Sequence, residues 1–140
     1  MIAPPAAVAR MSAPLAVALA LAGCVAGPTP GPLGDDWGGR GIALTIGPDA
    51  ARVAYDCAAG TIDGPLATDA AGRFSAVGTH SPGLGGPARI DTPPPTYPAR
   101  YTGSVRGDEM RLEVAVPARA LHLGPFTLRR GAPPVLHSCL

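Results

Sequence analysis

The chain has no lysine, asparagine or glutamine, and all 11 of its basic residues are arginine. Ten acidic residues bring the formal net charge to +1, and no stretch gathers charge of one sign. A nucleic-acid-binding surface needs a cluster or stripe of basic residues. Because the arginines are scattered, the sequence predicts no nucleic-acid partner. Aromatic residues make up only 4% of the chain, which is too few for a platform that stacks unpaired bases.

The sequence patterns of common enzymes are also missing. We find no G-x-S-x-G, no H-E-x-x-H, no P-loop and no G-x-G-x-x-G. Arg106-Gly107-Asp108 spells an adhesion tripeptide, but it lies between two alternating segments and is interpreted as a hairpin tip. Glu109 and Glu113 would share the polar face of one strand, where water solvates them. We therefore predict a protein that is not an enzyme and uses no cofactor.

Long apolar runs are absent as well. The longest, Ala13 to Ala22, is about half the length that a membrane-spanning helix needs. It follows Arg10, and no charge occurs again before Asp35, which is typical of a signal peptide whether translation begins at Met1 or at Met11. We predict that residues 1–23 are a disordered or helical signal segment that is removed on export.

Two cleavage sites compete at the end of this segment. Leu21-Ala22-Gly23-Cys24 resembles the bacterial lipobox, in which the cysteine is acylated and becomes the first residue of the mature lipoprotein. Cleavage after Ala22 would instead release a soluble secreted protein. The lipobox interpretation leaves an even pair of cysteines in the mature chain, whereas the other leaves an odd thiol. The lipobox interpretation predicts that acyl chains on Cys24 anchor the protein in the cell envelope. In a Gram-negative host this would be the outer membrane or the periplasm.

Residues 24–36 are predicted to be the acylated cysteine and a tether. Proline occupies every second position from Pro28 to Pro32, and such spacing favours an extended chain with a rise of about 3.1 Å per residue. The tether could hold residues 37–140, which form the predicted folded domain, up to roughly 35 Å from the membrane surface.

Short segments that alternate apolar and polar residues fill the folded domain. The segments are residues 42–46, 52–57, 61–66, 73–79, 100–106, 110–116, 126–129 and 135–140. Turn residues separate most of them, at Gly47–Ala50, Asp69–Gly72 and Gly107–Asp108. Even spacing of short alternating strands predicts an all-β fold, either a small antiparallel up-and-down β-barrel of about eight strands or a β-sandwich. We favour the barrel because closure removes exposed strand edges.

Cys57 and Cys139 are predicted to form a disulfide, since an exported chain meets oxidising conditions. The bond would join the end of the second strand to the last strand. A metal site that uses His137 and Cys139 is the alternative, but the chain offers no C-x-x-C and only three scattered histidines. We therefore predict no metal site.

The long interval from Thr79 to Arg100 is the candidate binding loop. Loops of this length in small domains are often functional. Its polar and aromatic candidates are His80, Arg89, Asp91, Tyr97 and Arg100. The alternative is a solvated rim loop with a short strand from Arg89 to Asp91.

Several stretches together resemble a set of uncharacterised small exported bacterial proteins. They are Trp37-Gly38-Gly39, Tyr55 to Leu66, Gly72 to Ser75, Gly85-Gly86-Pro87, Ala99 to Gly103, Gly107 to Leu112 and Cys139-Leu140. The resemblance implies a shared fold and supplies no catalytic residues. A broader likeness, in the anchor, size, strand content and disulfide, links the chain to small barrel lipoproteins that inhibit lysozyme.

Three functions follow in order of preference. The first is a non-catalytic envelope lipoprotein whose barrel binds an unknown ligand or envelope protein through the candidate loop. The second is a lysozyme-type hydrolase inhibitor. The third is an enzyme, which would require a pocket that gathers His80, Asp91 and Arg100.

Overall fold

The structure is a computed structural model that describes residues 2–6, 30–83 and 90–139. Cys24, Arg89 and most of the predicted signal segment lie outside these residues. The described chain contains ten β-strands: β1 Gly31–Pro32, β2 Asp36–Gly39, β3 Ile42–Ile46, β4 Ala50–Tyr55, β5 Ala58–Asp63, β6 Ala67–Thr68, β7 Arg73–Pro82, β8 Tyr97–Arg106, β9 Glu109–Val116 and β10 Leu121–Arg130. A 3₁₀ turn, Pro117–Arg119, joins β9 to β10. Within the described ranges, no helix has the length and apolar character needed to cross a bilayer.

Eight of the strands form a closed barrel in the order β10-β2-β3-β4-β5-β7-β8-β9. Every neighbouring pair is antiparallel, and chain neighbours lie side by side except where β6 intervenes and where β10 meets β2. The predicted up-and-down barrel of about eight strands is therefore confirmed, and the sandwich alternative is wrong. Closure rests on three residue pairs, in which Leu128, Arg129 and Arg130 face Gly39, Gly38 and Trp37.

Alternation along each strand decides which side chains fill the barrel. In β3 the residues Ile42, Leu44 and Ile46 point inward, and in β9 Met110, Leu112 and Val114 do the same. Among the described residues, the core also includes Trp37, Ala51, Val53, Tyr55, Ile62, Leu66, Phe74, Ala99, Tyr101, Val105, Val116 and Leu128. Because a side-chain period of two places every second residue inside, the patterned segments of the sequence mark the core.

The barrel has two distinct ends. The end that carries the β2–β3, β4–β5, β7–β8 and β9–β10 connections is here called the mouth, and the opposite end is called the base. The chain enters at the base, where β1 pairs with β6 and the Leu33 N–H donates to the Leu66 carbonyl at 2.7 Å. Strand structure is thus present at Gly31–Pro32, ahead of the predicted domain boundary at Trp37, because this part of the proline-rich segment pairs with β6.

The predicted loop between Thr79 and Arg100 is shorter than expected. Strand β7 continues to Pro82 and β8 already begins at Tyr97, with His80 opposite Tyr97 and Thr79 opposite Pro98. Proline at position 98 is tolerated within the strand, although it donates no ladder hydrogen bond. The short strand expected from Arg89 to Asp91 is not supported at its described end, since Asp91 lies in a turn.

The predicted last strand is wrong apart from Val135, which forms an isolated parallel bridge with Arg40. Strand β2 already pairs with β10 on one side and β3 on the other, so it has no free edge for another strand. Residues 131–139, here called the C-terminal strap, instead run along the outside of the barrel from base to mouth. The strap packs directly on Gly38, where a Cβ atom would lie 2.1 Å from the Ala132 carbonyl oxygen.

Cys57 and Cys139 are bonded as a disulfide, with their Cα atoms 5.2 Å apart. Their surroundings differ from the prediction. Cys57 lies in the β4–β5 turn with φ of 63°, and Cys139 lies at the end of the strap. Both residues are exposed. The bond therefore holds the strap against the outside of the mouth and does not insert a strand into the wall.

A pocket at the mouth of the barrel

The described part of the barrel opens into a pocket of about 350 Å³ at the mouth. Four parts of the fold contribute to its lining: the β2–β3 turn, the β4–β5 hairpin, β7 and β10. The lining residues are Arg40, Gly41, Tyr55, Asp56, Ala58, His80, Leu123 and Phe126. We call this space the mouth pocket.

The mouth pocket arises from the unequal lengths of β10 and β2. Strand β10 is ten residues long, but β2 pairs only with its last three residues, Leu128–Arg130. Toward the mouth, β10 pairs with β9 alone among the described strands, and its register shifts between Leu123 and Phe126. Such a bulge re-aims side chains at a barrel rim. Both Leu123 and Phe126 consequently line the opening.

Aromatic rings form the floor of the mouth pocket. The ring centroids of Tyr55 and Phe126 lie 6.0 Å apart at an angle of 40°, and those of Tyr55 and His80 lie 5.4 Å apart at 59°. These tilted contacts are within the range that aromatic pairs prefer. The floor is therefore apolar and well packed, and the imidazole of His80 is part of it.

His80 is the polar group of greatest interest in the pocket. It continues the inward row of β7 after Phe74, Ala76 and Gly78, and only 3% of its surface is exposed. Its Nδ1 atom is buried and has no hydrogen-bond partner among the described residues. Burial lowers the pKa of His80, so the ring is neutral at neutral pH. Unsatisfied buried nitrogens are rare in native folds, which marks this one as available to a ligand.

Beneath the floor, Tyr55 and Tyr101 form a hydrogen-bonded pair. The Tyr55 hydroxyl donates to the Tyr101 hydroxyl at 3.3 Å, and Tyr101 donates to the Thr79 carbonyl at 2.6 Å. Burial raises the pKa of both phenols, so both stay protonated and act as hydrogen-bond donors. Both hydroxyl donors therefore have an acceptor, whereas His80 Nδ1 on the floor has no partner among the described residues.

Two charged side chains, Arg40 and Asp56, lie at the rim. The Asp56 Oδ1 atom accepts the backbone N–H of His137 at 2.6 Å, and Oδ2 lies 3.5 Å from the His137 Nδ1 atom. Both oxygens of the Asp56 carboxylate therefore contact His137 of the strap. Arg40 is exposed and forms no ion pair with any residue in the described ranges.

The structure separates the residues predicted for the binding loop. His80 lines the mouth pocket, whereas Arg100 points outward and donates to the Ser75 hydroxyl at 3.5 Å. Tyr97 is half-buried, and its hydroxyl accepts a hydrogen bond from Arg119 at 3.1 Å. Asp91 is exposed. Arg89 lies outside the described residues, so its prediction has no structural counterpart.

Sequence reasoning missed Tyr55, Leu123 and Phe126 as pocket residues. A signal for them was present, because the alternation already placed Tyr55 and Phe126 on inward faces. What the pattern could not show is where the barrel wall opens, since that depends on the pairing of β10 with β2.

In the described part of the chain, no group of three His, Cys, Asp or Glu side chains lies close enough together to hold a metal ion. His137 contacts Asp56, and Cys139 is bonded to Cys57, so these two residues do not form the alternative metal pair. Comparison with known proteins returned no matching family model, no matching curated protein and no matching solved structure.

Proposed function

We propose that this protein is a non-catalytic binding module that holds one small, largely apolar ligand in the mouth pocket. The observation that carries the proposal is the buried, unpartnered Nδ1 atom of His80 on an aromatic floor. Ligand sites combine mostly apolar walls with a few fixed polar groups, and His80 supplies such a group. A ligand that hydrogen-bonds to Nδ1 would recover the free energy that its burial costs, about 1–3 kcal/mol.

The size of the pocket limits the ligand. A volume of about 350 Å³ is near the lower end of small-molecule sites, which range over roughly 300–1,000 Å³. Toward the base, the lumen is filled by core side chains such as Ile62, Met110 and Leu128, each with 0% exposure. The ligand would therefore sit at the mouth and would not thread through the barrel.

The same proposal places the protein in the cell envelope, held by acyl chains on Cys24. Its support is the bond between Cys57 and Cys139, which uses two of the three cysteines of the sequence and does not involve Cys24. Residues 24–30 would span roughly 20 Å between membrane and base. Since the chain enters at the base, the mouth pocket would open on the side away from the bilayer and take its ligand from the aqueous phase.

Mass spectrometry of the mature N-terminus tests the anchor. A diacylglyceryl adduct on Cys24 is the expected result. An unmodified chain that begins at Gly23 would show instead that the protein is secreted in soluble form.

Fluorescence titration with the neutral probe N-phenyl-1-naphthylamine tests the binding function. The chain should carry Cys24→Ser so that no acyl chain or detergent competes for the probe. We expect enhanced probe emission, and we expect Ala58→Phe to weaken probe binding at least about tenfold, since an added ring would fill much of so small a pocket.

Ala59→Phe is the matched control. Ala59 is the next residue of β5, it is exposed, and its side chain points to the outer face. Its substitution should leave probe affinity within about twofold. Binding that survives Ala58→Phe, or that fails equally in both variants, would contradict the assignment of the ligand to the mouth pocket.

Inhibition of a lysozyme-type hydrolase stays a prediction from the sequence, since no described contact favours it over ligand binding. Lysozyme activity measured in the presence of a micromolar excess of the protein decides this alternative. An unchanged rate would remove it.

A further inference from the structure

We propose that the ligand of the mouth pocket is a small apolar carboxylic acid, with its carboxylate on Arg40 at the rim and its apolar body over the aromatic floor. This inference rests on the proposed binding function and adds the chemical class of the ligand. It depends on how the two rim charges, the floor and His80 are arranged.

The Arg40 backbone is fixed although its side chain is exposed. The Gly41 N–H donates to the Val135 carbonyl at 2.8 Å, and the Val135 N–H donates to the Gly39 carbonyl at 3.0 Å. These two bonds fasten the β2–β3 turn on both sides of Arg40 to the strap. The strap is in turn held by the disulfide. The guanidinium is thus tethered at the pocket rim by an ordered backbone.

The two rim charges, Arg40 and Asp56, differ in what they already bind. Asp56 is the one acidic side chain among the described residues that line the pocket, and its carboxylate already accepts the His137 N–H at 2.6 Å. Arg40 has no such partner among the described residues. A guanidinium presents paired N–H donors that match a carboxylate geometrically. An incoming carboxylate would therefore find its counterion at the rim already in place.

The floor determines how the rest of the ligand lies. A ring inserted between Tyr55 and Phe126 would need a centroid separation of roughly 7 Å, which is two stacking distances of about 3.5 Å. The observed separation is 6.0 Å. The apolar body must therefore rest on top of these rings and against Leu123.

His80 confines the charge of the ligand to the rim. The neutral imidazole is a hydrogen-bonding group without charge, it packs against the Tyr55 ring, and no ion pair of the described residues involves it. A carboxylate buried there would lose its hydration without gaining a counterion, which is costly. At the rim it keeps water and gains Arg40. The carboxylate of the ligand would therefore lie at the pocket rim and its apolar body on the aromatic floor. Any uncharged polar substituent would point toward His80.

Displacement of N-phenyl-1-naphthylamine by phenylacetate and by phenylacetamide tests the inference, since the two compounds share shape but differ in charge. In the full chain carrying Cys24→Ser, at pH 7.5 and low salt, phenylacetate should displace the probe at about one-fifth of the amide concentration. That factor corresponds to about 1 kcal/mol for an ion pair near the surface. Arg40→Gln should make the two compounds equal, chiefly by weakening phenylacetate.

Arg111→Gln is the matched control, because Arg111 is exposed on the outer wall and forms no ion pair within the described ranges. It should preserve the fivefold preference. Equal displacement in the unaltered protein, or a preference that persists in Arg40→Gln, would overturn the acid inference while leaving the pocket intact. If the neutral probe itself does not bind, the proposed binding function fails, and the acid inference fails with it.

Discussion

The hydroxyl of Tyr55 donates a hydrogen bond to the hydroxyl of Tyr101 across the barrel lumen at 3.3 Å. Tyr55 belongs to β4 and Tyr101 to β8, and neither strand pairs with the other in the wall. Tyr101 is fully buried, and it extends the chain of bonds to the Thr79 carbonyl at 2.6 Å. The pair thus braces opposite sides of the barrel just below the mouth pocket.

Removal of one hydroxyl from this pair should destabilise the barrel. In Tyr101→Phe the Tyr55 donor loses its acceptor in a buried setting, which costs about 1–3 kcal/mol. Tyr97→Phe is the control, because the Tyr97 hydroxyl contacts an exposed arginine and its loss should cost less than about 0.5 kcal/mol. Urea unfolding followed by circular dichroism measures both. Equal unfolding midpoints for the two variants would show that the bond across the lumen adds no stability.

Acid should weaken the fold through His80. Burial lowers its pKa in the folded protein, whereas in the unfolded chain it titrates near 6.5. Below about pH 6.5 the unfolded state therefore binds more protons, so the free energy of unfolding falls as the pH drops toward the folded pKa. The slope contributed by one such group is at most about 1.4 kcal/mol per pH unit. The phenol rings of Tyr55 and Tyr97 face the imidazole from β4 and β8, and Asp56 and Arg40 lie at the rim of the same pocket.

Urea unfolding at pH 7.5 and pH 5.5 measures this effect. His80→Phe should reduce the difference in unfolding free energy between the two pH values, because the new ring does not titrate. His122→Phe should keep the difference, since His122 is exposed. A pH dependence that is the same in both variants would assign it to other groups.

The sequence was sufficient to predict the barrel because its information is local. Alternation in the segments around Ile42, Val53 and Met110 fixes which faces turn inward, and short turns such as Gly107–Asp108 make chain neighbours into strand neighbours. The strap could not be predicted in this way. Residues 135–140 alternate weakly, but whether they join the sheet depends on a free edge, and closure of β10 on β2 removes it.

The candidate site was predicted only in part for a similar reason. The long interval from Thr79 to Arg100 predicts His80 as a loop residue, whereas in the structure it lies in the inward row of β7. The same interval predicts Arg100 as a binding residue, but its position in β8 points it to the outer face. A pocket formed by a gap between strands is a property of the whole register, so no single segment reveals Leu123 or Phe126 as its lining.

Arg130 should matter more to stability than its neighbour Arg129. Arg130 donates to Asp35 at 2.7 Å and to Asp108 at 3.1 Å, and its guanidinium lies 4.5 Å from the Trp37 ring centroid. It thereby joins the chain entry and the β8–β9 turn at the base.

Arg129 forms one exposed ion pair, with Glu109 at 3.4 Å. We expect Arg130→Ala to cost about 1.5 kcal/mol, as the sum of a cation–π contact and a small ion-pair network. Arg129→Ala should cost less than about 0.5 kcal/mol. Urea midpoints at low and high salt measure both changes, and similar losses in the two variants would contradict a closing role for Arg130.

The disulfide should stabilise the protein mainly by restricting its unfolded state. Cys57 and Cys139 are 82 residues apart, and closing a loop of that length is worth about 4 kcal/mol in the chain-entropy model. The double variant Cys57→Ser/Cys139→Ser should lose up to this amount yet keep its strand signal in circular dichroism, because the eight barrel strands pair without either cysteine. Urea unfolding of the double variant and of the oxidised protein measures the loss, and a reductant should affect only the latter. A loss below about 1 kcal/mol would mean that the C-terminal strap is held by its bonds to Asp56 and Gly41 without help from the covalent link.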